Sequence, residues 1–381
     1  MRIAYASLYN AKDINAWSGT AYYMGECLKG QYSSLHYIGP LKSRWYPLFK
    51  RLSIIYRLLF NTTYIPEWEH IIWEDYAKLV KRLLSQVNVD VLFSAGIEAV
   101  AYLDYRRPIV FWTDQTFAEQ CGTSHRLYNT RFCRRTIRDG NAAERAAIGR
   151  CRFAIYSSHW AAQSAIDDYK ANPLNVEVIP FGANIECSRS IEDIRKIIEK
   201  RDRDKCRLLF VGKAWLRKGG DIAIRIAQKL NDMGLPTELT VVGVGSSMIG
   251  SVPAHTKVVG VLDKSKIEDR SLLDKLYTQS HFFIMPSRAE PYGIVLAEAN
   301  SFGVPCIASK SGGIPTIIKD GLNGMTFASG SPIEGYCTYI YNLFSDYSKY
   351  SALAEYAFNE YQTRLNWRVA GEKLSRLLAN L

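Results

Sequence analysis

Two glutamates, Glu290 and Glu298, flank Gly293 within SRAEPYGIVLAEANSFGVPCIAS, residues 287–309. The apolar run before them predicts a buried strand, and IVLAEANSFG predicts a helix closed by Gly303. Glu290 then lies in the loop after the strand, and Glu298 lies one to two turns into the helix. A loop carboxylate can bind sugar hydroxyls or face a developing positive charge, and Glu298 can bind the paired hydroxyls of a ribose. The alternative is two solvated surface charges, but the glycine and the helix start favour a site.

A basic loop in the same half of the chain is a candidate anion site. FVGKAWLRKGGD, residues 210–221, places Lys213, Arg217 and Lys218 between a predicted strand and the predicted start of a helix. A helix N-terminus offers free N–H groups and a positive dipole end, so the loop can bind a phosphate. A solvated basic loop is the alternative. SKSGGIP, residues 309–315, supplies a second glycine-rich turn at the same predicted edge.

Short apolar runs alternate with helical patterns along the whole chain. This alternation is typical of parallel sheets with right-handed crossovers. The pattern runs once, passes through a charged segment near residues 186–206, and starts again. We therefore expect an α/β fold of two Rossmann-like, doubly wound domains facing across a cleft. Ligands of such sheets bind at the carboxyl ends of the strands, so the site is expected there.

Composition narrows the class of protein and the class of ligand. The chain has 381 residues, enough for two domains, and a formal net charge of +11. That charge favours nucleotides, phosphates, nucleic acid or an anionic membrane, although an ordinary basic protein is the alternative. The eight cysteines form no C-x-x-C pair, so neither a metal site nor a disulfide framework is expected, and a reducing cytoplasm fits. No signal peptide or transmembrane helix is predicted.

The glutamate pair, the basic loop and the two ends of the chain resemble a known family. The block of residues 287–327 is similar to the donor-binding signature of the family 4 retaining glycosyltransferases, which have the GT-B fold, and Glu290 and Glu298 match their E-x7-E pair. The basic loop, WSGTAYYMGECL near the N-terminus and LNWRVAGEKLSRLLANL at the C-terminus are similar as well. The resemblance implies an acceptor-side domain over residues 1–185 and a donor-binding domain over 206–360. A helix over 361–381 would pack back on the first domain.

The resemblance also implies residue roles. Lys213 and Lys218, with help from Arg217, would hold the diphosphate of a nucleotide sugar, without a metal ion. Glu298 would bind the ribose, and Glu290 would hold the donor sugar together with the backbone after it. The implied donor-binding residues are Gly19, Lys213, Arg217, Lys218, Glu290, Pro291, Tyr292, Gly293, Ile294 and Glu298, and the implied catalytic residues are Glu290, Lys218 and Asp114.

Four positions depart from the family pattern. Asp114 stands where the family often has a histidine, and an ionised aspartate cannot donate a hydrogen bond. Thr316 and Asn184 replace acidic residues. Lys213 replaces an arginine, which keeps the positive charge but loses the bidentate hydrogen bonding of a guanidinium. These departures indicate a subgroup with its own sugar or acceptor preference.

The activity implied is metal-independent, retaining transfer of a hexose from UDP or GDP to a saccharide or lipid-linked acceptor. No cofactor other than this nucleotide-sugar co-substrate is expected. The products would be surface polysaccharides, glycolipids or related glycoconjugates. A GT-B-like binder of nucleotide sugars, or an epimerase, is the alternative. A nucleic-acid partner is not expected, because it would leave the paired glutamates unexplained.

Two basic segments bear on a further partner. LKSRWYPLFKRLSIIYRLLF, residues 41–60, mixes basic and aromatic residues without an acid, and residues 125–152 are also basic. They predict contact with an anionic membrane surface, or else an ordinary helical face with snorkelling side chains. The expected location is cytoplasmic, peripheral on the inner face of the membrane.

Overall fold

Twelve strands form two six-stranded, wholly parallel sheets in the computed structural model, which describes all 381 residues. The first sheet lies in a unit formed by Met1–Pro180 with Ala370–Leu381, and the second in a unit formed by Phe181–Val369. Because parallel neighbours need crossover connections, most strands are followed by a helix before the next strand begins. The α/β fold predicted from the alternation is therefore confirmed.

The first sheet has the order β2-β1-β3-β4-β5-β6. Its strands β3, β4 and β5 are buried along their whole length, as the continuous apolar runs of sequence require. The elements of this unit up to residue 180 are β1 (Arg2–Ser7), α1 (Thr20–Gln31), β2 (Ser34–Ile38), α2 (Tyr46–Phe60), α3 (His70–Leu84), β3 (Val91–Ala95), β4 (Ile109–Thr113), α4 (Phe117–Tyr128), α5 (Arg134–Arg150), β5 (Phe153–Tyr156), α6 (His159–Tyr169) and β6 (Val176–Val178).

The second sheet has the order β12-β11-β10-β7-β8-β9, so β7, β10 and β11 are adjacent. The remaining elements are α7 (Ile191–Glu199), β7 (Cys206–Val211), α8 (Gly220–Asp232), β8 (Thr237–Val242), α9 (Ser246–Ile249), β9 (Thr256–Gly260), α10 (Ile267–Gln279), β10 (Phe282–Met285), α11 (Ile294–Asn300), β11 (Cys306–Lys310), α12 (Ile314–Ile317), β12 (Gly324–Ala328), α13 (Ile333–Ser345), α14 (Tyr347–Arg364) and α15 (Trp367–Leu378). The central position of β7 and β10 brings the two stretches with candidate chemistry side by side.

The charged segment expected to separate the domains is a folded part of the second unit. Its helix α7 begins with a capping box of Ser190 and Asp193 and buries Ile194 and Ile198. Arg201, just after the helix, is buried and donates to the carbonyls of Phe302 and Gly303. The two units instead divide at residues 180 and 181. The many charged residues of this segment predicted a linker, but its apolar residues recur at helical spacing and form the buried side of an amphipathic helix.

The C-terminal end of the chain returns to the first unit from residue 370 onward. Tyr32 Oη donates to Ser375 Oγ over 3.3 Å, and a Cβ on Gly371 would lie 2.8 Å from Cys27 Sγ. The expected closing helix is α15, which begins at Trp367. None of the fifteen α-helices has both the length and the apolar composition of a membrane span.

Candidate active site

Three loops meet at the carboxyl edge of the second sheet. They follow β7, β10 and β11, and backbone hydrogen bonds join them. The N–H of Arg288 donates to the carbonyl of Arg217 over 2.8 Å, and the N–H of Gly313 donates to the carbonyls of Glu290 and Pro291 over 3.2 and 3.1 Å. The basic loop, the glutamate loop and the second glycine turn therefore form one site, as expected for the edge of a parallel sheet.

Glu290 lies between two cations in this site. Its Oε2 is 3.2 Å from Arg217 Nη1 and 3.3 Å from Lys218 Nζ, and only 7% of the residue is exposed. Arg217 Nη1 also donates to the carbonyl of Ala289 over 2.8 Å. A buried carboxylate needs such partners, because desolvation otherwise penalises its charge. The interpretation of Glu290 as a solvated loop residue is therefore wrong, and three of the predicted site residues are in contact.

The side chain of Lys218 is held over the backbone of Gly212. A Cβ at Gly212 would lie 2.5 Å from Lys218 Cδ, so any other residue there would displace the lysine. Lys218 Nζ lies 3.9 Å from Met285 Sδ at the end of β10, and its side chain is 13% exposed. Gly219 follows with φ +75, and a Cβ there would lie 2.1 Å from the carbonyl oxygen of Pro286. Two glycines thus let the cation loop pack directly on its neighbour.

Lys213 differs from the other two cations. It directly follows Gly212, it is exposed, and no acidic side chain lies within ion-pair distance of it. This lysine is therefore available to an anionic ligand without first giving up a protein partner.

Glu298 is fully buried in α11, so the alternative of a helix surface charge is wrong. Its Oε1 lies 2.6 Å from Lys264 Nζ, and its Oε2 accepts from Tyr277 Oη over 3.2 Å. Lys264 also donates to the carbonyl of Asn184 over 3.2 Å. Burial, together with Glu298, raises the pKa of the Tyr277 hydroxyl well above its usual value. A ribose at Glu298 would have to share the carboxylate with these two donors.

Lys264 is a candidate functional residue that the sequence analysis missed. It lies in the loop after β9, separated from Glu298 by 34 positions. No motif surrounds it. Only the burial of Glu298, which demands a cation, could have pointed to a basic residue on an adjacent loop.

The turn between the two glutamates is closely packed. Gly293 has φ +95 and directly precedes α11, where a side chain would strain the backbone. Tyr292 is buried, and its hydroxyl donates to the carbonyl of Phe181 over 2.7 Å. Its side chain is therefore committed to the protein, and a ligand could use only the backbone here. Pro291 and Ile294 are partly exposed on either side of this turn.

An ion pair at the start of α8 braces the loops. Arg288 Nη1 and Nη2 lie 2.7 Å from Asp221 Oδ1 and Oδ2, and Arg288 also donates to the carbonyl of Leu216. The guanidinium lowers the pKa of the Asp221 carboxyl. Asp221 also lies in the first helical turn, where the helix dipole favours a negative charge. Arg288 and Asp221 are positioning residues that sequence reasoning did not single out.

Asp114 and Gly19 lie in the first unit. Asp114 directly follows β4, at the carboxyl edge of the first sheet, and Glu98 follows the neighbouring strand β3. Burial raises the pKa of Glu98 to about 7, and Asp114 contributes. Burial also raises the pKa of Tyr9, which follows β1, to about 12, with smaller contributions from Glu98 and Asp114. This edge therefore gathers acidic groups, of which the sequence analysis identified only Asp114.

Gly19 caps α1 with φ +92 and follows two residues in the left-handed region, Trp17 with φ 47 and Ser18 with φ 56. Two consecutive non-glycine residues in that region cost energy and occur more often at functional turns than elsewhere. A Cβ at Gly19 would lie 2.9 Å from the carbonyl oxygen of Ile14. The assignment of Gly19 to the leaving phosphate stays a prediction, as does the catalytic role of Asp114.

Two of the departures from the family pattern belong to internal packing. Asn184 accepts from Trp367 Nε1 over 3.0 Å, and its carbonyl accepts from Lys264. Thr316 is buried, and its carbonyl accepts from Arg364 Nη1 over 2.5 Å. Both positions thus contact residues that hold the second unit together.

Comparison with known proteins gives a family and a set of relatives. Residues 190–360 match the family described as glycosyl transferases group 1. Over 260 residues the chain is 28% identical to D-inositol 3-phosphate glycosyltransferase 1 of Catenulispora acidiphila, an alignment covering 62% of this chain and 59% of that protein. The chain spans about half the length of the curated relatives it matches.

Solved structures resemble the chain along its whole length. The sucrose-phosphate synthase of Thermosynechococcus elongatus aligns with a TM-score of 0.69 and 16% identity, covering 100% of this chain and 99% of that one. The Anabaena protein HepE, in complex with UDP and glucose, aligns with a TM-score of 0.65 and 16% identity, covering all of both chains. At these identities the likeness shows the fold, which is GT-B with two Rossmann-like domains.

Proposed function

We propose that the chain is a retaining hexosyltransferase of the glycosyl transferases group 1 family, which residues 190–360 match. The donor is a hexose linked to UDP or GDP, and the acceptor is a saccharide or a lipid-linked saccharide. The proposal rests chiefly on the contact of Glu290 with Arg217 and Lys218 beside the unpaired cation Lys213.

The three cations fit the diphosphate of the donor. Arg217 and Lys218 both contact one carboxylate oxygen of Glu290. A diphosphate can therefore bind one of these cations while Glu290 keeps its contact with the other. Lys213 adds a positive charge that no protein group neutralises. Such preorganised cations stabilise the charge that develops on the leaving phosphate, so the proposed reaction needs no divalent metal ion.

Glu290 is placed to act on the sugar. Its carboxylate can bind hydroxyls of the hexose and face the positive charge that develops at the anomeric carbon. The backbone of residues 291–294 would hold the remainder of the sugar. In the proposed same-face displacement, the leaving phosphate takes the proton of the attacking hydroxyl, so the bond forms on the face from which the phosphate departs.

The nature of the partners is supported by the relatives. HepE binds UDP and glucose, which supports a nucleotide-linked hexose as donor. The relatives named as D-inositol 3-phosphate glycosyltransferases support an acceptor with several hydroxyl groups. We propose a place in the synthesis of surface polysaccharides, glycolipids or related glycoconjugates, at the cytoplasmic side of the membrane.

Nucleotide release and product stereochemistry test the proposed function together. The protein would be incubated with UDP-hexoses or GDP-hexoses and a panel of saccharide and inositol acceptors. We expect acceptor-dependent release of one nucleoside diphosphate and, by proton NMR, a glycosidic bond with the anomeric configuration of the donor. Inverted product would exclude the retaining mechanism. An epimerised donor without transfer would show an epimerase instead.

A further inference from the structure

Helix α2 of the first unit exposes an apolar face to solvent. Leu58 is 73% exposed, Leu59 is 72% exposed and Phe60 is 61% exposed. Leu48, Ile54 and Ile55 are also exposed on this helix. Isolated apolar side chains on a surface are ordinary, but six on one helix form a patch of the kind that marks an interaction site.

The other side of α2 fixes the helix to the unit. Phe49 is buried, and Leu52 and Tyr56 pack against the same apolar core. At 100° per residue these three side chains share one face, whereas Ile54 and Leu58 lie on the opposite side of the helix. The helix therefore has a packed apolar side and an uncovered apolar side.

The charged residues of the α2 segment all have the same sign. No aspartate or glutamate occurs from residue 41 to residue 66. The segment nevertheless carries five exposed cations, which are Lys42, Arg44, Lys50, Arg51 and Arg57. None of the five forms an ion pair with an acidic side chain, so their charge is free to attract anions.

The second basic segment of the sequence joins this surface in the fold. Thr63, just after α2, pairs with Phe132 between α4 and α5, and the guanidinium of Arg135 lies over the Phe49 ring with 5.7 Å to its centroid. The neighbouring cations Arg126, Arg131 and Arg134 are exposed and form no ion pair. We use "α2 face" for the six exposed apolar residues of α2 together with these eight cations.

We propose that the α2 face docks the protein on an anionic lipid bilayer, with the aliphatic side chains inserted at the interface and the cations on the headgroups. Amphipathic helices with basic flanks bind lipid in this way, by apolar burial and attraction to anionic lipid together. With 15 residues, α2 is about 22 Å long, so it can lie in the interface but cannot cross the roughly 30 Å hydrocarbon core.

Other occupants fit the observations less well. A second copy of the chain would bring eight cations against eight, which opposes a symmetric contact. A nucleic acid would use the cations but not the exposed leucines and isoleucines. The inference goes beyond the transfer reaction and does not rest on it, because it uses no residue of the proposed active site.

Vesicle co-sedimentation tests the proposal. The protein would be spun with phosphatidylcholine vesicles and with vesicles of equimolar phosphatidylcholine and phosphatidylglycerol. We expect binding only to the anionic vesicles, with the bound-to-free ratio falling about tenfold or more on raising the salt concentration, because the attraction is screened. Binding to neither vesicle, or equal binding to both, would overturn the proposal.

Paired variants separate the two parts of the surface. Leu58→Ser with Leu59→Ser, and separately Lys50→Gln with Arg51→Gln, should each reduce anionic-vesicle binding about tenfold or more. Leu174→Ser and Arg82→Gln change exposed residues of the first unit outside the α2 face and should bind like the unaltered protein. Melting temperatures within a degree or so of the parent would show that all variants fold, since surface changes rarely alter stability.

The test also recognises the rival occupants. Without lipid, light scattering should show no oligomer that depends on the α2 face. An oligomer that the serine variants dissociate would instead identify the α2 face as a contact between two copies of the chain. RNA binding that the glutamine variants abolish and the serine variants leave intact, without vesicle binding, would make it a nucleic-acid surface. Either result would overturn the lipid proposal.

Discussion

The two units hold their buried glutamates in opposite ways. In the second unit, Glu290 and Glu298 are buried and each contacts a cation, at 3.2 Å from Arg217 and 2.6 Å from Lys264. In the first unit, Glu98 and Glu144 form no ion pair, and burial raises their pKa values to about 7 and about 8. The same side chain thus contacts cations in one unit and has a pKa raised by burial in the other.

This difference separates two kinds of chemistry. A site that keeps its carboxylates beside cations is suited to an anionic ligand, because a diphosphate can replace part of each ion pair. A buried carboxyl group with a raised pKa can, when protonated, both donate and accept hydrogen bonds, so it can bind uncharged hydroxyl groups. The comparison therefore supports a donor site in the second unit and leaves neutral, hydroxyl-bearing ligands to the first.

The largest expected effect comes from removing a cation of the second unit. Lys218→Ala should lower kcat/KM for the donor by about 30- to 1,000-fold, which corresponds to about 2–4 kcal/mol of transition-state stabilisation. Steady-state release of the nucleoside diphosphate measures it. Lys275→Ala, an exposed lysine of α10, is the matched control and should be unchanged. Equal activity of the two variants would mean that the charged edge of the second sheet does not act on the donor.

Breaking the ion pair of Glu298 should act on stability. Lys264→Met leaves a fully buried carboxylate without its cation and should lower the free energy of unfolding by about 2–3 kcal/mol, somewhat less than for a pair with both partners buried. Urea denaturation measures this change. Adding Glu298→Gln should recover part of the loss, because the uncompensated charge is removed. A single variant as stable as the parent would show that Glu298 does not need Lys264.

The pH dependence of stability tests the first unit. Burial raises the folded pKa of Glu144 to about 8, so the folded chain binds its proton more tightly than the unfolded chain. That stabilisation is complete below the unfolded pKa and is lost as the pH rises through about 8. Between pH 6 and pH 9, Glu144→Gln should therefore lose about 2 kcal/mol less unfolding free energy than the parent. Equal losses would mean that Glu144 is not protonated in the folded chain.

The smallest effect is expected at the brace of the loops. Arg288→Ala removes a half-exposed ion pair with Asp221, which should cost less than about 1 kcal/mol of stability. Because Arg288 joins two loops of the site, donor KM should rise a few-fold while kcat changes little. A large fall in kcat with an unchanged KM would show that Arg288 contacts the reacting groups.

Much of the fold could be predicted from local sequence. Each apolar run quoted from the sequence predicted a strand correctly, because both faces of a parallel strand are buried and its residues are therefore continuously apolar. The site loops followed, since the ends of parallel strands share an edge, and this brought Glu290 to Arg217 and Lys218. The helix expected to close at Gly303 ends at Asn300, and the chain makes a turn before the glycine.

Contacts between distant positions could not be predicted in this way. No motif in the sequence surrounds Lys264. Its role depends on the burial of a glutamate 34 positions away, with which it forms an ion pair. The raised pKa of Glu98 comes from desolvation, which a sequence does not display. The domain boundary predicted near residues 186–206 was wrong for the opposite reason. The many charged residues of this segment predicted a linker, although its isoleucines are buried in α7.

Calorimetric titration of UDP and GDP into the protein tests the central claim most directly. We predict that one of the two binds, and that Lys213→Ala, which removes an exposed and unpaired cation, weakens binding about tenfold while Lys275→Ala leaves it unchanged. Preserved melting temperatures would exclude misfolding as the cause. If neither nucleotide binds the parent protein, or if both variants bind as tightly as the parent, the edge of the second sheet is not a nucleotide-sugar site.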